Sequence, residues 1–311
     1  MALHQIKSSG LKATFSDHGA RLLALEVDGL DVVFGASLKE EPDKWDPYAG
    51  ITCGRHAGRI TGAQFMLDGQ LHKLVPNRDG FQLHGGPVGL GGLKWKAAKK
   101  GSEIHFSLTS PDGDHGFPGE LAANAVYGLS GNVMWAELTA TTTKPTVINL
   151  TSHAYWNLAG PSAGKDAAFS QEVQMNASRY LITDKDILPS GEMADVSGTA
   201  YDFRKLRAVK QAYDHCFVTD GKRGELKQLL TLRDPKSGRR MEVWSTECAI
   251  QFYTAIHWNE KLPGKGGPLH QHQAIAIEPQ NVPDAPNHPN FPSSILRPGR
   301  TYRNRIEWRF S

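Results

Sequence analysis

Residues 302–310 read Tyr-Arg-Asn-Arg-Ile-Glu-Trp-Arg-Phe. Tyr302, Asn304, Ile306, Trp308 and Phe310 alternate with Arg303, Arg305, Glu307 and Arg309, the period of a strand with one face in a core and one in water. Period 2 recurs over 241–258, where Gln251, Tyr253, Ala255 and His257 oppose Ile250, Phe252, Thr254, Ile256 and Trp258. Residues 104–109, 121–129 and 133–143 have the length and composition of further antiparallel strands. Asp28-Gly29 and Asp68-Gly69 are hairpin signals. No long stretch keeps a 3.6-residue period. The expected fold is therefore all-β, a large antiparallel β-sandwich. No internal repeat or linker divides the chain, and all-β domains run to this length, so residues 1–311 are expected to form a single domain.

Composition excludes several function classes. The net charge is +3, and the densest basic run, Lys94 to Lys100, is interrupted by Ala97-Ala98. That is a solvated face, and no nucleic-acid partner is expected. The N-terminus lacks the basic and apolar regions of a signal peptide, and no run is long enough to span a membrane as a helix. Cys53, Cys216 and Cys248 are odd in number and lack CxxC spacing, which fits a reducing compartment; a cytoplasmic location is expected. Monomer and homodimer are equally compatible with the sequence.

Several stretches carry chemistry. Ala274 to Ile277 is a buried-strand pattern, and Glu278 arrives as it ends. Pro279 cannot donate to a ladder, so regular pairing is expected to stop there. A carboxylate at the lip of a buried strand is desolvated, which suits a general base. Pro283, Pro286, Pro289 and Pro292 then recur every third residue in a stiff loop, readable also as a polyproline II-like surface segment. Written as one strand, 147–158 puts Val147, Asn149, Thr151, His153, Tyr155 and Asn157 on one face. The opposite face is apolar except for Ser152. The polar row suits recognition of hydroxyl groups or is an ordinary exposed sheet face. Arg55, Ala57 and Arg59 share a face if 54–60 is extended. Glycines after His84 allow close approach of backbone to a ligand. Asp214 and His215 point to opposite faces of a strand, so they form no dyad. His270 and His272 could pair on a metal but lack an evident third ligand.

Taken together, these stretches resemble the aldose 1-epimerase family. The matching segments are Glu278-Pro-Gln with Pro283-Asp-Ala-Pro-Asn-His-Pro289, Gly54-Arg-His-Ala-Gly-Arg-Ile60, Leu83-His-Gly-Gly86, Asn149-Leu-Thr-Ser-His-Ala-Tyr-Trp-Asn-Leu158, Asp214-His215 and Gln251-Phe-Tyr-Thr254. They run in family order from about residue 50 to the C-terminus. The resemblance implies a supersandwich with its cleft on a broad concave face, and an isomerase that interconverts the anomers of free aldoses such as galactose and glucose. It implies Glu278 as base, His153 as acid, and Arg59, His84, Asp214 and Gln251 as substrate contacts, with no cofactor and no metal. Gly58 and Ser152 stand where many members have Asn. A non-catalytic sugar-binding module, a hexose-6-phosphate epimerase, and a glycoside hydrolase using Asp214 and Glu278 are the alternatives.

Overall fold

The computed structural model describes residues 1–37, 39–40 and 44–311. Among the described residues no helical segment exceeds four residues, as the absent 3.6-residue period requires. Two large antiparallel sheets dominate. The nine-stranded sheet runs, in spatial order, Lys96–Lys100, Glu103–Ser110, Leu121–Ser130, Val133–Thr142, Tyr302–Phe310, Arg240–Ser245, Lys227–Arg233, Glu172–Met175 and Arg207–Ala208. The seven-stranded sheet runs Pro189–Asp195, Ala177–Thr183, Asp214–Thr219, Ala249–Tyr253, Ile275–Gln280, Tyr155–Trp156 and Val33–Phe34.

One face of each sheet builds a shared core. Phe217, Ile250, Phe252, Ile275, Ile277 and Trp156 from the smaller sheet join Met241, Val243, Ile306 and Trp308 from the larger. Trp156 lies 5.7 Å from Trp308 and 6.2 Å from Phe310, centroid to centroid. Each such fully buried side chain contributes roughly 1.5–3 kcal/mol. Because side chains alternate, the residues between these core positions in the smaller sheet must face away from the larger one. The cleft lies on that far face. Trp95 is core, as expected, and its indole N–H donates to the Leu90 carbonyl.

Both Asp-Gly hairpins form. Asp28 and Gly29 have φ of 48° and 83°, and Asp68 and Gly69 have 50° and 80°. Two consecutive positive φ values make type I′ turns, whose twist matches that of the flanking strands.

Three expectations need correction. First, pairing does not stop at Pro279: the strand continues to Gln280, with Pro279 opposite Ile250 and Gln280 opposite Ala249. The Pro279 carbonyl accepts from Thr151 Oγ1 (2.8 Å) and Asn304 Nδ2 (3.0 Å), so this edge of the residue turns away from the neighbouring strand. The missing N–H would lie on the same edge, and its loss breaks no ladder bond.

Second, 147–158 is not one strand. It makes three two-residue pairings, Thr146–Val147 with Ile295–Leu296, Thr151–Ser152 with Thr52–Cys53, and Tyr155–Trp156 with two strands of the smaller sheet. Every residue from 146 to 158 is buried. Much of the polar row holds crossing backbone instead of facing solvent. Asn149 Nδ2 donates to Ala57 O and Asn281 O, and Asn157 Nδ2 to Gln273 O. Third, the proline loop is not a surface polyproline segment. It contains a short 3-10 turn, Ala285–Asn287, and Asp284 is almost fully buried, with its carboxylate accepting from the Thr61 amide.

Candidate active site

Strand register assembles the floor of a cleft of about 610 Å³. Asp214 lies opposite Tyr253, Tyr253 opposite Ala276, and Ala276 opposite Tyr155. The next row of the same face runs Cys216, Gln251, Glu278. Directly opposed residues share a face, so pairing alone brings two carboxylates, an amide and two phenols together across four strands. Arg59, at the start of the short strand Arg59–Thr61, and the loop residues His84 and His153 complete the cleft.

The burial of Glu278 is nearly complete, at 1% exposure. Burial, reinforced by the Asp214 charge, lifts its carboxyl well above the usual carboxylate range. Its Oε1 lies 3.4 Å from His153 Nε2. Burial pushes the His153 imidazole down to about 4, against the opposing pull of the Asp46 charge. Glu278 Oε2 and His153 Nδ1 are both buried without a hydrogen-bond partner. Each such orphan costs about 1–3 kcal/mol, a cost that incoming hydroxyl groups would remove.

The imidazole of His153 is held by packing. Tyr48 stacks on it at 6.0 Å, Tyr155 packs at a tilt at 5.1 Å, and Tyr155 rests on Trp258 at 4.4 Å. Trp258 is pinned in turn by its indole N–H, which donates to Asp46 Oδ2 at 3.0 Å. The backbone of His84 is left-handed (φ 53°), and its Nδ1 accepts from the Gly58 amide at 3.2 Å. That fixes the proton on Nε2 in the neutral ring. Burial, then His153, hold His84 well below the usual imidazole range, so it stays neutral. Asp214 is committed on both oxygens: Gln251 Nε2 donates to Oδ1, and Arg59 Nη2 to Oδ2 at 3.2 Å. Arg59 also stands over the Phe81 ring at 5.7 Å.

All six residues singled out from the sequence line this one cleft. Arg55 does not join them, and the expected shared face of Arg55, Ala57 and Arg59 is not formed. Gly58 is left-handed (φ 79°), which breaks the extended run. Arg55 turns instead into the loop 110–119, donating to Ser110 Oγ, Ser110 O, Pro111 O and Gly119 O. The imidazoles of His270 and His272 separate: Nδ1 of His272 bonds the Thr254 carbonyl, while His270 faces Glu260.

The sequence places Tyr155 in the polar row but does not single it out as a site residue, and it gives Tyr253 no role, although each lies two residues beyond a chosen residue. That spacing was the available signal. Asp46, Tyr48, Arg78 and Ile187 reach the cleft from turns whose sequences carry no period.

A β-sandwich with a cleft on one sheet face that gathers hydroxyl-matching side chains around a buried carboxylate and imidazole belongs with sugar-processing acid–base proteins. The aldose 1-epimerase family model matches residues 2–309. The chain is 37% identical to the galactose mutarotase of Sus scrofa over 98% of its own length and 92% of that protein. It is 30% identical to the aldose 1-epimerase of Escherichia coli K12, over 97% of this chain and 93% of that one. An aldose epimerase homologue from C. elegans superposes with a TM-score of 0.92 at 30% identity, covering 100% of this chain and 98% of that one. The chain belongs to the aldose 1-epimerase family. Its activity is that of an isomerase, a mutarotase that interconverts aldose anomers.

Proposed function

We propose that the physiological substrates are free hexopyranoses, galactose and glucose foremost, and that Glu278 and His153 carry the proton transfers. In the reactive state the pair holds one proton, on His153 beside an ionised Glu278; Glu278 takes the proton from the C1 hydroxyl as His153 protonates the ring oxygen. The bond between C1 and the ring oxygen breaks, leaving an open-chain aldehyde. Rotation about C1–C2 presents the other carbonyl face. The two residues then exchange roles: His153 recovers the proton from the hydroxyl that formed the ring oxygen, and Glu278 returns one to the new C1 hydroxyl. Protons balance and no electrons are transferred.

The observation that carries this reading is the adjacent pair with free valences, Glu278 Oε2 and His153 Nδ1, at the base of the cleft. The two oxygens that exchange protons are bonded to the same carbon, so an acid and a base set side by side suit them. Elevation of the Glu278 pKa brings the base toward the operating pH, where general base catalysis is most effective. Asp214, Gln251 and Arg59 form a preorganised array for sugar hydroxyls, and His84 donates near the ring oxygen. The hydrolase alternative is weaker, because Asp214 has both oxygens engaged and offers no second free carboxylate.

The test follows the optical rotation of freshly dissolved α-D-galactose and α-D-glucose in a poorly catalytic buffer. The wild-type protein should speed the approach to an unchanged final rotation. Glu278→Gln should lower kcat by roughly 10²–10⁴-fold while retaining sugar binding. Near-normal turnover in that variant would remove Glu278 from the role of base.

A further inference from the structure

Directly behind the cleft floor lies a thiol that the epimerase chemistry does not use. Cys53 sits in the two-residue strand Thr52–Cys53, fully buried and in no disulfide. Its Sγ, one His84 ring nitrogen and one Glu278 carboxylate oxygen lie within 4.8 Å of one another, the sole such trio among the described residues. Glu278 also brings Oε2, buried and without a partner. We propose that Cys53, His84 and Glu278 bind a thiophilic divalent cation, with Zn²⁺ as reference ion, and that occupancy switches the isomerase off.

The donor set is one thiolate, one imidazole and one carboxylate, which favours Zn²⁺ or Co²⁺ over Mg²⁺ or Ca²⁺. Tetrahedral Zn²⁺, with bonds of about 2.0–2.3 Å, needs donors about 3.3–3.8 Å apart. Donors within 4.8 Å of one another are at most about 1–1.5 Å from that spacing. Entry is from the cleft, which His84 and Glu278 line. The fourth position would be left for water, and the ion would compete with sugar for Glu278 and His84. On binding, the thiol proton leaves to solvent. Ligation through His84 Nε2 moves the ring proton to Nδ1 and gives up the long 3.2 Å bond from the Gly58 amide. The switching half of the proposal rests on the reading of Glu278 as base, since the ion would take its lone pair. The binding half does not.

Co²⁺ added to the full-length protein tests the two halves separately. A near-ultraviolet sulfur-to-cobalt charge-transfer band is expected, absent in both Cys53→Ser and Cys53→Ala and retained in Cys216→Ser. Cys216 is a demanding control because it lies in the same cross-strand row as Glu278. Zn²⁺ should inhibit mutarotation reversibly, relieved by chelator and by excess galactose, and at least about tenfold less potently in Cys53→Ala. Near-ultraviolet circular dichroism establishes that each variant is folded. No charge-transfer band in the wild type, or a band that survives loss of Cys53, would overturn the site. Stoichiometric binding without inhibition would overturn the switch. Because the band needs no turnover, this outcome is distinct from any failure of Glu278→Gln to abolish activity.

Discussion

Replacing Arg55 by Met asks whether the two arginines of one short motif have separate jobs. The Arg55 side chain is 2% exposed. Its Nε donates to Ser110 Oγ at 2.8 Å, Nη1 to Gly119 O at 2.8 Å, and Nη2 to Ser110 O at 2.8 Å and Pro111 O at 2.7 Å. Burial draws the guanidinium down to about 10, still charged at neutral pH. Hydrogen bonds from a charged donor contribute about 1.5–3 kcal/mol each, and the carbonyls left behind would be only partly rehydrated. Met keeps the apolar stem in place, so the net loss is about 3–5 kcal/mol, the range for removing one partner of a buried charged network. The unfolding entropy of a chain of 311 residues is about 0.65 kcal/mol/K. The melting temperature should therefore fall by about 5–8 °C. Thermal melts followed by circular dichroism, with optical-rotation kinetics well below the transition, give both quantities. Arg59→Met should do the reverse, raising KM with little change in melting. An Arg55→Met protein that melts within about 1 °C of wild type and loses activity would refute the assignment of Arg55 to stability.

Further outcomes follow from the geometry. The acid limb of kcat/KM should lie above the ordinary carboxylate range, because the rate requires ionised Glu278 and its pKa is raised. Asp214→Asn removes a negative charge that disfavours that ionisation, so the limb should move to lower pH even as KM rises; an unmoved or raised limb would contradict the coupling. Ile187 lines the cleft with φ of 60°, a conformation that strains a β-branched residue by about 1–3 kcal/mol. Ile187→Gly relieves that strain at an entropic cost of about 1 kcal/mol, so it should melt no lower than wild type while changing KM. Asp46→Asn deletes the charge that opposes the lowering of the His153 pKa, so NMR titration should find that pKa lower still.

Much of the site was legible because its residues stand in short, distinctive strings. Glu278 at the end of an apolar run and His153 within an alternating row announced themselves locally. The errors have one common cause. Period 2 records which way successive side chains point, provided the segment stays extended and keeps one partner. Residues 147–158 pass through three successive pairings, so most of their polar row faces crossing backbone. Arg55 and Arg59 straddle a left-handed glycine and diverge. Pro279 stays in the sheet because its bare edge meets side chains and not a strand.

What the sequence alone determined was the class of fold, the family and the identities of the six cleft residues. Those properties reside in alternation and in local strings, and neither depends on distant parts of the chain. Only the tertiary structure decided that Gln251 stands opposite Glu278, that His153 Nε2 comes within 3.4 Å of the same carboxylate, and that a thiol lies beneath them. These contacts join segments tens to hundreds of residues apart. They are set by strand order and register, which follow from packing the whole core, and no local pattern encodes them.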